Sequence, residues 1–359
     1  MRTHVAAAAL LLALTAAALP AQQDTIGPNP AQAAPLFSAD QPLSLTIELP
    51  LRDLRGDRGQ ESPEREAVVV IPDAAGSMVR LDVKVQTRGR FRLQRQICDF
   101  PPLRLNFQRG QVAGTVFEGQ NKLKMVTHCR DRDLAYQQYV LQEYLAYRTY
   151  NQLTEASFRV RLLWITYVDM EGRRDPMSRF AFLIEDDDDM AQRNGWEVVK
   201  VPSIHPYDLR TGQLRLAELF QYMIGNTDWS VSRPERGKGY CCHNARVIGN
   251  MQGLALPVPY DFDLAGAVNA RYARPAPDLE IHYVTERLYR GFCGPPEDVE
   301  AVLPRFLEQR EAIYQMYRTQ VGLSDEERQR ILDFYDDFYD VISDPGLVTS
   351  ELMGRCLPI

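Results

Sequence analysis

Four things are missing from this 359-residue chain. It has no hydrophobic run of membrane-spanning length, since the apolar stretch 5–19 falls short of the ~20 residues that a bilayer helix needs. It has no excess of positive charge: 41 Lys and Arg stand against 48 Asp and Glu, a net −7, which argues against a general nucleic-acid binder. Its six cysteines include no C-x₂-C pair, so Cys241-Cys242-His243 and His128-Cys129 make poor tetrahedral zinc sites. No glycine-rich phosphate loop is visible; Gly76 and Gly89 are isolated.

What is present begins with an export signal. Arg2 supplies the positive start, residues 5–19 the apolar run, and Leu-Pro-Ala21 a small-residue exit, so residues 1–21 read as a cleaved targeting segment. No cysteine follows the exit, which argues against a lipid anchor, and no stable membrane insertion is expected. Residues 22–41, rich in Ala, Pro, Gln and Asp, read as a linker. The mature chain is expected in a periplasm or outside the cell. Its even cysteine count there favours disulfides, with Cys98–Cys129 one expected pair and one of Cys241/Cys242 with Cys293 another.

Alternating apolar residues predict strands over 43–49, 67–71, 78–85, 102–107, 121–126, 158–168 and 180–184. A 3.6-residue period predicts a helix over 134–153 that carries Glu143 on or near its apolar face, where a carboxylate wants a cation. Lys124 on the preceding strand is the natural partner. Arg88, Arg90 and Arg92 alternate, and Lys122 and Lys124 share a strand face; such basic rows are either a solvated surface or a cradle for polyphosphate. The run Glu185-Asp-Asp-Asp-Asp189 reads as a solvated helix start. Residues 42–185 therefore form an antiparallel sheet with one inserted helix. Residues 186–359 are mainly helical, with a helix over 214–224 and two more over 299–315 and 324–342 as a C-terminal extension.

The chemistry concentrates in the second half. The helix over 214–224 ends at Gly225 and releases Asn226-Thr-Asp228-Trp229 into a loop. Asn244 follows in a loop entering a strand, and Val258-Pro-Tyr-Asp261-Phe-Asp263 ends the next. In an extended segment Asp261 and Asp263 share a face and Phe262 turns to the core. Two carboxylates together need a cation, and oxygen-only ligation suits Mg²⁺ or Mn²⁺. Carboxylates around such an ion, with one more to take a proton, are what phosphoryl transfer uses.

Taken in order, these segments resemble the spore-coat-protein-H (CotH-type) kinase family, exported atypical members of the protein-kinase-like fold. Arg88-Gly89 with Leu103-Arg-Leu-Asn-Phe107 is similar to its R-G segment and basic strand, Lys122-Leu-Lys124 to its K-L-x-L strand, and Gln142-Glu143-Tyr-Leu-Ala146 to its R-E-x-L-A helix. Phe182-Leu-Ile-Glu185 resembles the strand entering its hinge, Gly-Asn-Thr-Asp228 its G-N-x-D loop, and Pro-Tyr-Asp261-Phe-Asp263 its P-W-D-x-D strand. The resemblance implies a two-lobed α+β kinase-like fold, with residues 42–185 as an N-lobe of antiparallel sheet and one helix and 186–359 as a mainly helical C-lobe. It implies Asp228 as catalytic base, and Asn244, Asp261 and Asp263 as ligands of Mg²⁺ or Mn²⁺. It also implies Lys124 paired with Glu143 on the phosphates of ATP, with Lys122, Arg88 and Glu185 at the nucleotide. The activity implied is transfer of phosphate from ATP to a secreted or envelope protein; the alternatives are a silent envelope binding or assembly module, or a metal-dependent phosphoester hydrolase.

Overall fold

The computed structural model describes residues 34–73, 76–234, 239–250 and 253–359. The expected targeting segment 1–21, linker residues 22–33 and two residues of the 72–76 turn lie outside them.

Every predicted strand of the first half forms: β1 (Leu43–Leu49), β2 (Arg65–Pro72), β3 (Met78–Thr87), β4 (Leu103–Phe107), β5 (Lys122–Val126), β6 (Val160–Asp169) and β7 (Met177–Ile184). They do not make an open kinase-like N-lobe sheet. They close into a seven-stranded barrel in the order β1-β2-β3-β4-β5-β7-β6. Closure comes from β1 and β6, which run parallel from Leu43↔Leu163 to Leu49↔Asp169, while the other neighbours are antiparallel. Alternate residues point inward, and Ile47, Val69, Val85, Leu123, Ile165 and Leu183 fill the interior with a core of its own. Leu51 and Leu54 of the short helix α1 (Leu51–Gly56) add to it.

Helix α2 (Ala135–Leu153) lies between β5 and β6 in sequence and packs outside the barrel against β7. The second half holds α3 (Asp187–Arg193), β8 (Glu197–Val198), α4 (Thr211–Met223), β9 (Ala245–Gly249) and β10 (Leu256–Pro259), the strands forming a small sheet in the order β10-β9-β8. Then come α5 (Pro296–Glu300), α6 (Leu303–Thr319) and α7 (Asp325–Ser343), the last capped by the Ser324 hydroxyl, which accepts from the Glu327 amide. The two halves are not separate lobes: one large core joins them. Phe182 of β7, Tyr147 of α2, Phe262 and Phe220 of α4 form a continuous row of rings, with centroids 5.7, 4.6 and 5.3 Å apart.

Three disulfides form. Cys98–Cys129 is the expected pair, whereas Cys293 joins Cys356 and the adjacent Cys241 and Cys242 join each other. That leaves no free thiolate for zinc among the described residues. No described helix is long and apolar enough to cross a membrane.

Candidate functional site

A cleft of about 420 Å³ lies where the outer wall of the barrel meets the small sheet. Its barrel side carries Arg88, Arg104 and Lys124; its other side carries Asp228, Asn244, Arg246, Tyr260, Asp261 and Asp263. Strand register explains the basic wall. Arg104 pairs with Lys124 across β4 and β5, and their inward neighbours Leu103, Leu105, Leu123 and Met125 are barrel core, so both cations face out. Lys122 sits on the same outer face but is exposed and away from the cleft.

Lys124 does not pair with Glu143. Its β5 register sets it beside Ile184, one turn before α3, and its ammonium bonds Asp187. Asp187 also accepts from Arg246 Nε at 2.6 Å, and Arg246 donates to the Tyr260 hydroxyl at 2.9 Å. Burial would raise Asp187, but Lys124 and Arg246 outweigh it and hold the carboxyl at about 2. Burial also draws the Lys124 ammonium down, with Asp187 opposing. The acidic run is thus a helix start, with Asp186 accepting from the Asp188 amide, in which one carboxylate braces the cleft's cations. Glu185 is elsewhere: buried, it takes both forks of Arg193 at 3.0 Å and does not line this cleft.

Glu143 meets Arg92 instead. The chain leaves β3 at Thr87, turns at Gly89 (φ +94°) and enters a 3₁₀ turn at Phe91–Leu93. This breaks the alternation of the three arginines. Arg88 and Arg92 both line the cleft, and Arg92 reaches the acids, 3.2 Å from Glu143 and 3.3 Å from both Asp261 and Asp263. One oxygen from each of these three carboxyls lies within 4.8 Å of the others. Asp261 and Asp263 do converge, but not as extended alternation. β10 ends at Pro259, and Asp261 adopts φ +64°, its amide donating to the Tyr147 hydroxyl at 2.9 Å. Phe262 is buried in the shared core. Glu143 and Tyr147 are one helical turn apart on α2, so a single helix face supplies both.

Burial is the largest influence on these acids. It pushes Glu143 up to about 8, with Asp263 and Asp261 adding and Arg92 opposing. It pushes Asp263 up to about 6, against the pull of Arg92. Three carboxyls face one guanidinium, so each acid meets like charge as well as Arg92.

Asp228 and Asn244 form a second group. Asn244, at φ +50°, donates through Nδ2 to the Asp228 carbonyl at 2.7 Å and carboxylate at 2.9 Å; His243 Nε2 contacts the other carboxylate oxygen at 2.7 Å. Asn244 therefore orients Asp228 through its amide nitrogen, and Glu143 stands with Asp261 and Asp263 in the acid cluster. The residues missed in sequence are Arg92 as the partner of Glu143, Asp187, Tyr147 and Arg246. The helical spacing of Tyr147 from Glu143 was the one local signal for any of them.

No protein-family model matches this chain, and a search of the curated proteins finds no match. The donor set itself is all oxygen, partly buried, and of a kind that could hold a hard divalent ion, with Asp261 and Asp263 lining the open cleft.

Proposed function

We propose that this protein is an exported phosphotransferase that moves phosphate from ATP to a hydroxyl of a secreted or envelope protein. The observation that carries the reading is the pairing, in one cleft, of a cationic wall with a separate, oriented aspartate. Arg88 and Arg104 make no hydrogen bond or ion pair with any described side chain, yet both line the cleft beside Lys124 and Arg246. Guanidinium forks suit phosphate oxygens. Asp228, held from two sides, accepts the proton of the attacking hydroxyl. The new bond joins that oxygen to the γ-phosphorus, and the old bond to the ADP oxygen breaks. Asp261 and Asp263 would hold a divalent ion, which when bound offsets charge on the transferred group. The three disulfides fit an oxidising compartment outside the cytoplasm. The reading draws on the site and on the family resemblance of its segments, not on a kinase-like fold.

Incubation with γ-labelled ATP and Mn²⁺ or Mg²⁺ should label the protein itself or an envelope extract. Asp228→Asn should keep ATP binding and lower turnover by about 10²–10⁴-fold. Asp261→Asn should lose metal-dependent ATP binding. Labelling that persists in Asp228→Asn removes the assigned base, and release of inorganic phosphate with no labelled acceptor makes the protein a hydrolase.

A further inference from the structure

We propose that Glu143, Asp261 and Asp263 are a three-carboxylate divalent-cation site, and that Arg92 is its resident counter-ion, expelled when the metal enters. This deepens the phosphoryl-transfer reading and rests on it.

The geometry around Arg92 carries the argument. Its Nη1 donates to Glu143 Oε2 at 3.2 Å, its Nη2 to Asp261 Oδ1 at 3.3 Å, and its Nε lies 3.3 Å from Asp263 Oδ2. Each nitrogen serves a different carboxyl. No carboxylate receives the two-pronged fork that makes an arginine pair strong, and all three distances exceed the usual ~2.7–2.9 Å of charge-assisted bonds. The guanidinium straddles the cage without fitting it. The second oxygen of Glu143 finds no hydrogen-bond partner among the described residues, although the residue is only 1% exposed. A buried carboxylate oxygen left unpaired is costly. A doubly charged ion ligated by oxygen at ~2.0–2.4 Å offsets more of this charge than one guanidinium can.

The cage and its occupant differ in how they are held. Glu143 belongs to a long helix, and Asp261 is fixed by Tyr147 of the same helix. Arg92 stands on a three-residue 3₁₀ turn that follows the glycine turn at Gly89. Arg92 already lines the cleft with Arg88 and Arg104, so a guanidinium released by the carboxylates stays beside them. Metal entry therefore converts Arg92 from a carboxylate partner into a further phosphate ligand, and nucleotide and metal favour the same rearrangement.

The test is a Mn²⁺ titration of the full chain without nucleotide, read by electron paramagnetic resonance. Arg92→Met should bind Mn²⁺ at least about tenfold tighter than the wild type, because no cation competes, and Glu143→Gln at least about tenfold weaker. Arg92→Met should also melt lower than the wild type in EDTA, with Mn²⁺ raising its melting temperature by more than it raises the wild type's. Should Arg92→Met fold only when Mn²⁺ is present, the exchange stands. If it binds no tighter than the wild type, stays unfolded with Mn²⁺, or if Glu143→Gln binds like the wild type, the proposal is overturned. Tighter Mn²⁺ binding by Arg92→Met, with no label transfer by either protein, keeps this site and removes the phosphotransferase reading.

Discussion

His128 is wholly buried just beyond β5, its ring 4.6 Å from Phe100 and 5.5 Å from Tyr167 by centroid, with Nε2 against Asp131 at 2.9 Å. Burial lowers its pKa from the ordinary 6.5, and Asp131 recovers only part of that. The unfolded chain therefore binds this proton first as pH falls. The stability His128 contributes is complete above about 6.5 and declines below it. Glu143 and Asp263 act in the opposite sense, since their raised pKa values make the folded state the better proton binder on acidification. The comparison must therefore be made against a variant: between pH 7.5 and 5.5 the melting temperature of His128→Asn should fall less, or rise more, than that of the wild type. Parallel pH curves would show that His128 does not titrate differently in the two states. At this scale the sequence revealed that Asp261, Asp263 and Glu143 each wanted a cation. It did not reveal which one, because the answer turns on the backbone at Gly89 and on the register that carries Lys124 to Asp187.

The elements that carry the site are tied together at one junction. Helix α4 ends with Gly225 at φ +64°, and the carbonyls of Ile224 and Gly225 accept from the amides of Ala267 and Gly266. This clamps the start of the Asp228 loop to the end of the Asp261–Asp263 segment. Gly266 has no room to spare: a Cβ there would sit 2.3 Å from the backbone carbonyl of Val284 and 3.1 Å from a ring carbon of Phe334. Gly266→Ala should therefore cost about 1–3 kcal/mol in chemical denaturation, the range for an overpacked core. It should also weaken Mn²⁺ binding more than a surface Gly→Ala change does. Wild-type stability in that variant would show that the junction yields freely. Individual elements were legible because their signals are local. The apolar alternation of β1 to β7 and the helical period of α2 depend on neighbours in sequence alone. The end of β10 was misjudged because the Asp261 turn depends on Tyr147, more than a hundred residues away in the chain.

Closure of the barrel is a property of the whole chain, and its cause is remote from any local pattern. A strand's alternation states which face is buried, not which strand pairs with it. β1 and β6 are parallel and lie far apart in sequence, with β2 to β5 and α2 between them. That pairing turns a sheet that reads as open into a closed wall whose outer face builds the cleft. The Cys98–Cys129 bridge constrains the same wall: it lies between the Arg92 turn and β4 on one side, just after β5 on the other, and closes a separation of 31 residues. In the chain-entropy account a loop of that size stabilises by ~3–4 kcal/mol, chiefly by restricting the unfolded chain. Alanine at both cysteines should lower the melting temperature in non-reducing buffer by about 5–10 °C. The wild type in reductant should melt at or below that point, because the Cys293–Cys356 bridge, which ties the C-terminal tail across 63 residues, opens as well. An oxidised double variant that melts with the wild type would show that strand pairing alone holds the wall, and that the segment bearing Arg92 needs no anchor at Cys98.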